Sequence, residues 1–175
     1  ANPTVTTVYN VIGSTAGCNS QTQIGLANVV PNPTITISPV NPYICFGSSV
    51  TLTASGATTY TWLPNTALSS TSAINVIANP TIITTYTIIG SQATCTNTAI
   101  NTVTVLPLPI PTITSSAQAC LYTPVNLQTS PGYSVYQWTG PIGYSSNVSN
   151  ATFTANTTAQ SGTYNLSVTD AFGCI

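Results

Sequence analysis

The amino-acid sequence predicts an all-β fold made of small antiparallel β-sandwich domains in tandem, and three observations lead there. β-branched and aromatic residues fall in short runs of alternating apolar and polar character, bounded by Gly, Pro, Asn and Ser. No stretch carries a helical period. The chain also repeats itself: ANPTVTTVYNVIGSTAGC (1–18) matches ANPTIITTYTIIGSQATC (78–95) at eleven of eighteen positions, without a gap, at an offset of 77. A looser copy, SGTYNLSVTDAFGC, carries Tyr164 and Cys174. The intervening segments pair as well, with ICFGSSVTLTASGATTYTW (44–62) over ACLYTPVNLQTSPGYSVYQW (119–138), so that Cys45 lies over Cys120, Tyr60 over Tyr136 and Trp62 over Trp138. A period of about 76 residues is long for a solenoid and suits a string of small sandwiches.

The elements follow in order. A first strand is expected near Thr34–Ser38, and a second over Val50–Ser55 with Val50, Leu52 and Ala54 facing inward. The third, Thr59–Leu63, places Tyr60 and Trp62 on one face, because successive side chains of a strand alternate. A strand with Ile74 and Val76 comes next. Then follow Thr84–Ile89, carrying Tyr86 and Ile88, and a last strand near Asn101–Val105. This organisation divides the chain into 1–30, the last two strands of a preceding repeat; 31–107, a complete repeat; and 108–175, a repeat lacking its last strand.

Charge excludes more than it suggests. Asp170 is the single charged side chain in 175 residues; Lys, Arg, His and Glu are absent. Ser and Thr hydroxyls therefore have no side-chain base, so hydrolytic triads are excluded. One carboxylate supplies neither a glycosidase pair nor a calcium loop. The five cysteines stand singly, without the C-x-x-C spacing of a zinc site. Nucleic-acid binding needs cations to neutralise phosphate and is excluded with equal force. The expectation is a chain that is not an enzyme, has no catalytic or metal-binding residues and no cofactor. No apolar run approaches the roughly 20 residues of a membrane helix, so membrane insertion is not expected. Unactivated thiols suit disulfides in an oxidising compartment, which places the chain outside the cell or on its surface. Because the sequence starts without Met and opens and closes within repeat units, it reads as part of a longer processed polypeptide.

The segments CFGSSVTLTASG, the Y-x-W pairs Tyr60/Trp62 and Tyr136/Trp138, YQWTGPIGYSS and SGTYNLSVTDAFGC resemble the Ig-like and PKD-like repeats of very large cell-surface proteins of Bacteroidota. The W-x-F-G-D-G motif of PKD repeats does not follow Trp62 or Trp138, which favours the Ig-like form. The resemblance covers nearly the whole chain. It implies adhesins, gliding-motility proteins or surface stalks.

In an immunoglobulin core a disulfide joins strands B and F, with a Trp packed on it. Ala54 and Ile88 occupy those positions here. Cys45 lies just before the A–B turn and Cys95 in the F–G turn, at opposite poles of that topology. A six-residue strand spans about 20 Å, whereas bridged Cα atoms lie roughly 4.4–6.8 Å apart. The A–B turn of one domain instead faces the F–G turn of the next, which pairs Cys45 with Cys174 between domains and leaves Cys18, Cys95 and Cys120 to pair outside these residues. The alternative is pairing within domains, Cys45–Cys95 and Cys120–Cys174. Trp62, Trp138, Tyr86 and Tyr164 are expected in the cores, the two tyrosines forming corners with their hydroxyls tied to backbone. Tyr43, Phe46, Tyr122, Tyr133 and Tyr144 remain as contact aromatics for domain junctions, neighbouring filaments or sugar rings.

The connectors VPNPT (30–34) and VLPLPIPT (105–112) alternate proline, which favours extended, poorly bending chain. The resulting expectation is a structural repeat segment, a stiff spacer within an extracellular filament, stalk or giant adhesin. Its partners would be neighbouring repeats of the same chain and laterally associated copies that bundle into filaments. The alternatives are a carbohydrate-binding module with a glycan ligand, and spacer domains of a secreted enzyme.

Overall fold

The protein is described by a computed structural model over residues 2–116 and 118–175. In chain order the strands are β1 (Thr7–Val11), β2 (Ser14–Thr15), β3 (Cys18–Asn19), β4 (Gln23–Ala27), β5 (Thr36–Ser38), β6 (Tyr43–Cys45), β7 (Val50–Ser55), β8 (Thr59–Leu63) and β9 (Asn75–Ala78). There follow β10 (Thr84–Gln92), β11 (Cys95–Leu106), β12 (Ile113–Ser115), β13 (Pro124–Thr129), β14 (Val135–Thr139), β15 (Ser145–Ser146), β16 (Ala151–Thr154) and β17 (Asn165–Thr169). The helical residues described are two 3-10 turns, Pro141–Gly143 and Thr158–Gln160. The fold is all-β, with antiparallel pairing in each resolved register.

Two compact units form: Ala1–Pro42 with Ser49–Thr104, and Tyr43–Ser48 with Val105–Ile175. The sandwich of the first unit has one sheet in the order β5-β7-β9 and another in which β11, β10 and β8 are neighbours in that order. That is the Ig-like arrangement, A-B-E opposite G-F-C. Alternation builds its core: Leu52 and Ala54 of β7, Val76 and Ala78 of β9, Trp62 of β8, Tyr86 and Ile88 of β10, and Val103 of β11 are all buried. Each large side chain withdrawn from water in this way contributes about 1.5–3 kcal/mol. Ala54 and Ile88 are both buried without a bridge between them. Asn101 is the buried polar residue of β11. Its amide donates to Pro39 O (2.9 Å) and its Oδ1 accepts from Asn41 N–H (2.6 Å), so burial leaves neither end unpaired.

Three local expectations change. Ile74 precedes β9 and is exposed, its carbonyl accepting from Ala54 N–H. Strand β10 runs on past Ile89 to Gln92, and β11 starts at Cys95, because a two-residue turn joins them into one long hairpin. Val50 is half-buried at the start of β7.

The first hairpin copies the second at the predicted offset. β1 starts at Thr7 as β10 starts at Thr84, and β3 starts at Cys18 as β11 starts at Cys95. Ala16 and Ala93 both have positive φ in the connecting turns. The copies differ by one residue. From Thr7 to Ser14 the first arm spans eight residues while its partners, from Ala27 to Asn19, span nine; Thr84 to Ser91 faces Val103 to Thr96, eight on each side. The extra residue lies between β3 and β4, which splits the ladder there as a bulge does.

The second unit repeats the plan with sheets β12-β13-β16 and β15-β14-β17. Leu127, Trp138 and Ala151 form its core, and Val125, Tyr144, Phe153, Tyr164 and Leu166 pack against them. Trp138 Nε1–H donates to Val148 O (3.0 Å), as Trp62 Nε1–H donates to Ala73 O (2.9 Å), so both indoles satisfy their donor in the same way.

Candidate functional site

The second unit carries the feature on which a function can rest. Cys45 and Cys174 are joined by a disulfide, with Cα atoms 5.5 Å apart and 129 residues of separation. Both belong to the second unit, because the segment Tyr43–Ser48 groups with residues 105–175. Phe46 N–H donates to Leu106 O (2.8 Å), which secures that segment beside the end of β11. The pairs Cys45–Cys95 and Cys120–Cys174 do not form.

Each cysteine sits at a sharp turn. After Cys45 the chain reverses through Gly47 (φ 85°), and Ser48 N–H returns to Cys45 O (2.9 Å). Before Cys174 it reverses through Gly173 (φ 87°). Positive φ is the region that glycine enters without steric cost. Asp170 organises this second turn. Its Oδ1 accepts from Phe172 N–H (2.8 Å) and Cys174 N–H (2.9 Å), and its own N–H donates to Cys174 O (3.0 Å). The one carboxylate of the chain is thus an Asx-type turn organiser that aims Cys174 at Cys45. Sequence reasoning missed this role; the Asp-Ala-Phe-Gly-Cys spacing, with an acceptor four residues before the cysteine and a glycine just before it, was the available signal.

Aromatic rings flank the bridge. Tyr43 and Phe172 lie with ring centroids 6.1 Å apart, both largely exposed, while Cys174 itself is buried. Phe46 and Tyr122 are also exposed. The other two residues expected as contact aromatics are placed differently. Tyr133 is half-buried against Tyr136 (5.9 Å), its N–H donating to the Tyr136 hydroxyl. Tyr144 is half-buried in a cluster with Phe153 (4.8 Å) and Tyr164 (5.3 Å). Packing against apolar neighbours removes both from the surface set.

Trp62, Trp138 and Tyr86 are fully buried. Tyr164 is half-buried and its hydroxyl donates to Gln160 O (2.8 Å), while Tyr86 donates to Thr66 O (3.1 Å). Burial raises the Tyr86 phenol above its ordinary value. Burial also raises Tyr164, and the neighbouring Tyr144 adds to the shift. Cys18, Cys95 and Cys120 are free thiols within this chain; Cys18 and Cys120 are exposed, and Cys95 donates to Val30 O (3.4 Å). Among the described residues no three metal-ligating side chains cluster, and no helix is long and apolar enough to cross a membrane.

No family model matches this chain, and no curated protein matches it. Among solved structures it is similar to "Crystal structure of domains A168-A170 from titin", at 15% sequence identity and a TM-score of 0.43, over 96% of this chain and 70% of that one.

Proposed function

We propose that this chain is a structural repeat segment of an extracellular filament, stalk or large surface adhesin, and that it works as a stiff spacer which resists lengthening. The observation that carries the proposal is the Cys45–Cys174 disulfide. Tension applied at the two ends travels from residue 1 to Cys45, crosses the bridge and leaves through Cys174. Residues 46–173 lie outside that covalent path. Fully extended, the 129-residue separation would add roughly 450 Å, at about 3.5 Å per residue. The bridge withholds that length even if the folded parts inside it open.

The side chains support the same reading. With a single carboxylate and no cation, the surface carries little charge to repel a neighbouring copy. Hydroxyl and amide groups then govern lateral contacts, which bundles filaments without dependence on salt. By their repeat positions, Cys120 takes the role of Cys45, and Cys18 and Cys95 take that of Cys174, in bridges to further repeats. An oxidising location outside the cell is where such bridges persist.

The test is immunoelectron microscopy of the source cells with antibody against this segment. Label spaced along surface fibres supports the proposal; label confined to soluble particles, or to a secreted catalytic protein, overturns it. The glycan-binding reading rests on the exposed rings of Tyr43, Phe46 and Tyr122. Selective binding on a glycan array, lost in Tyr122→Ala, would favour it.

A further inference from the structure

The two sulfurs of the Cys45–Cys174 bridge are not equivalent. Cys174 is 1% exposed, whereas Cys45 is half-buried. A thiolate opens a disulfide by attacking one sulfur while the other departs with the electron pair of the broken bond. Access directs that attack to Cys45 Sγ, so Cys174 is the sulfur that must leave as a thiolate. How readily it leaves depends on what surrounds the new negative charge.

Those surroundings give a thiolate no support. Burial disfavours a charged sulfur. The chain has no Lys, Arg or His, so no side-chain cation stands near it. Successive backbone N–H groups in a turn can stabilise an anion, but here they are already engaged. Phe172 N–H (2.8 Å) and Cys174 N–H (2.9 Å) donate to Asp170 Oδ1, and Gly173 N–H donates to Asp170 O (3.3 Å). The group that holds two of these donors is also the one carboxylate of the chain. A like charge beside a forming thiolate raises its energy. The hydrogen bonds that shape this turn therefore also oppose opening of the bridge.

We propose that Asp170 protects the Cys45–Cys174 bridge against thiol reductants by making Cys174 a poor leaving group. In the step it opposes, the thiolate of a dithiol reagent forms a bond to Cys45 Sγ and the S–S bond breaks. The electron pair departs on Cys174 Sγ, which then takes a proton from water. The second thiol of the reagent, as thiolate, displaces Cys45 from the mixed disulfide and the reagent is released oxidised. Asp170 acts through the turn and through its charge, and it touches no reductant. The spacer function above does not depend on this property.

The test follows reduction of the full chain by dithiothreitol, with Cys18, Cys95 and Cys120 replaced by Ser so that only the bridge reacts. Asp170→Asn keeps an acceptor for the turn and removes the charge. It should be reduced about threefold faster or more, with a melting temperature near that of the parent. Phe172 is exposed, so a second pair of variants reads the charge while Asp170 stays in place. Phe172→Lys brings a cation to the turn and should be reduced faster than Phe172→Gln. With a single-thiol reagent, followed by alkylation of the released thiol, the adduct should sit on Cys45 and the alkyl group on Cys174. Equal rates in the parent and Asp170→Asn, equal rates in the two Phe172 variants, or adducts shared evenly between the two cysteines would each overturn the proposal.

Discussion

Cys45 and Cys174 are 129 residues apart in the chain and 5.5 Å apart in space, and the bond between them closes a loop that contains most of the folded protein. In the chain-entropy view, closing so long a loop restricts the unfolded ensemble by about 4–5 kcal/mol. Most proteins of this size secure their form with a single core. Here two small cores are supplemented by one covalent link, which suits a component required to keep its length.

Removing the link should therefore cost stability without altering the strands. Cys45→Ser or Cys174→Ser is expected to lower unfolding free energy by about 2–4 kcal/mol. Reductant should reproduce the loss in the native chain and have no further effect on the variants. Denaturant titrations followed by tryptophan fluorescence check this, because Trp62 and Trp138 are both fully buried.

Asp170 should matter as an acceptor and not as a charge. Asp170→Ala deletes the oxygen that holds Phe172 and Cys174 N–H groups, at a cost of about 1–2 kcal/mol. Asp170→Asn keeps an acceptor and should retain most of the stability. Thermal melts of the two variants distinguish the roles; equal losses would point to charge.

The pH response should be flat through neutrality and fall in alkali. Burial holds the phenols of Tyr86 and Tyr164 above their ordinary value of 10.0. The folded state therefore keeps protons that the unfolded state releases above about pH 10, and stability declines as pH rises beyond that point. Below it the two states are protonated alike at these groups, so nothing is lost between pH 6 and 9. Urea midpoints across pH 6–11 check the sign. In Tyr86→Phe the alkaline decline should be shallower.

The strands most legible in the sequence were those whose inner and outer faces alternate strictly. Val50–Ser55 and Thr59–Leu63 form over the residues that the pattern marks, because every second side chain there is apolar and faces the core. Pattern failed where packing did not enforce it. Beyond Ile89, the Gly90-Ser91-Gln92 run carries no apolar signal, yet backbone pairing with β11 extends the strand. The extra residue between β3 and β4, and the split ladder it causes, appear only in the register. Tyr144 has the sequence context of an exposed loop aromatic, and only the approach of Phe153 and Tyr164 turns it inward. Asp170 was read for the chemistry it excludes, while its structural work depends on backbone donors that side-chain patterns do not reveal.

Force spectroscopy of the single chain, pulled from its two ends, tests the spacer account most directly. Oxidised, the chain should extend by no more than the residues outside the bridge, roughly 160 Å for the 45 residues up to Cys45 and the last two. Reduction should release the further length of roughly 450 Å. Full extension of the oxidised chain, equal to that of the reduced one, would contradict the claim that Cys45 and Cys174 carry the load.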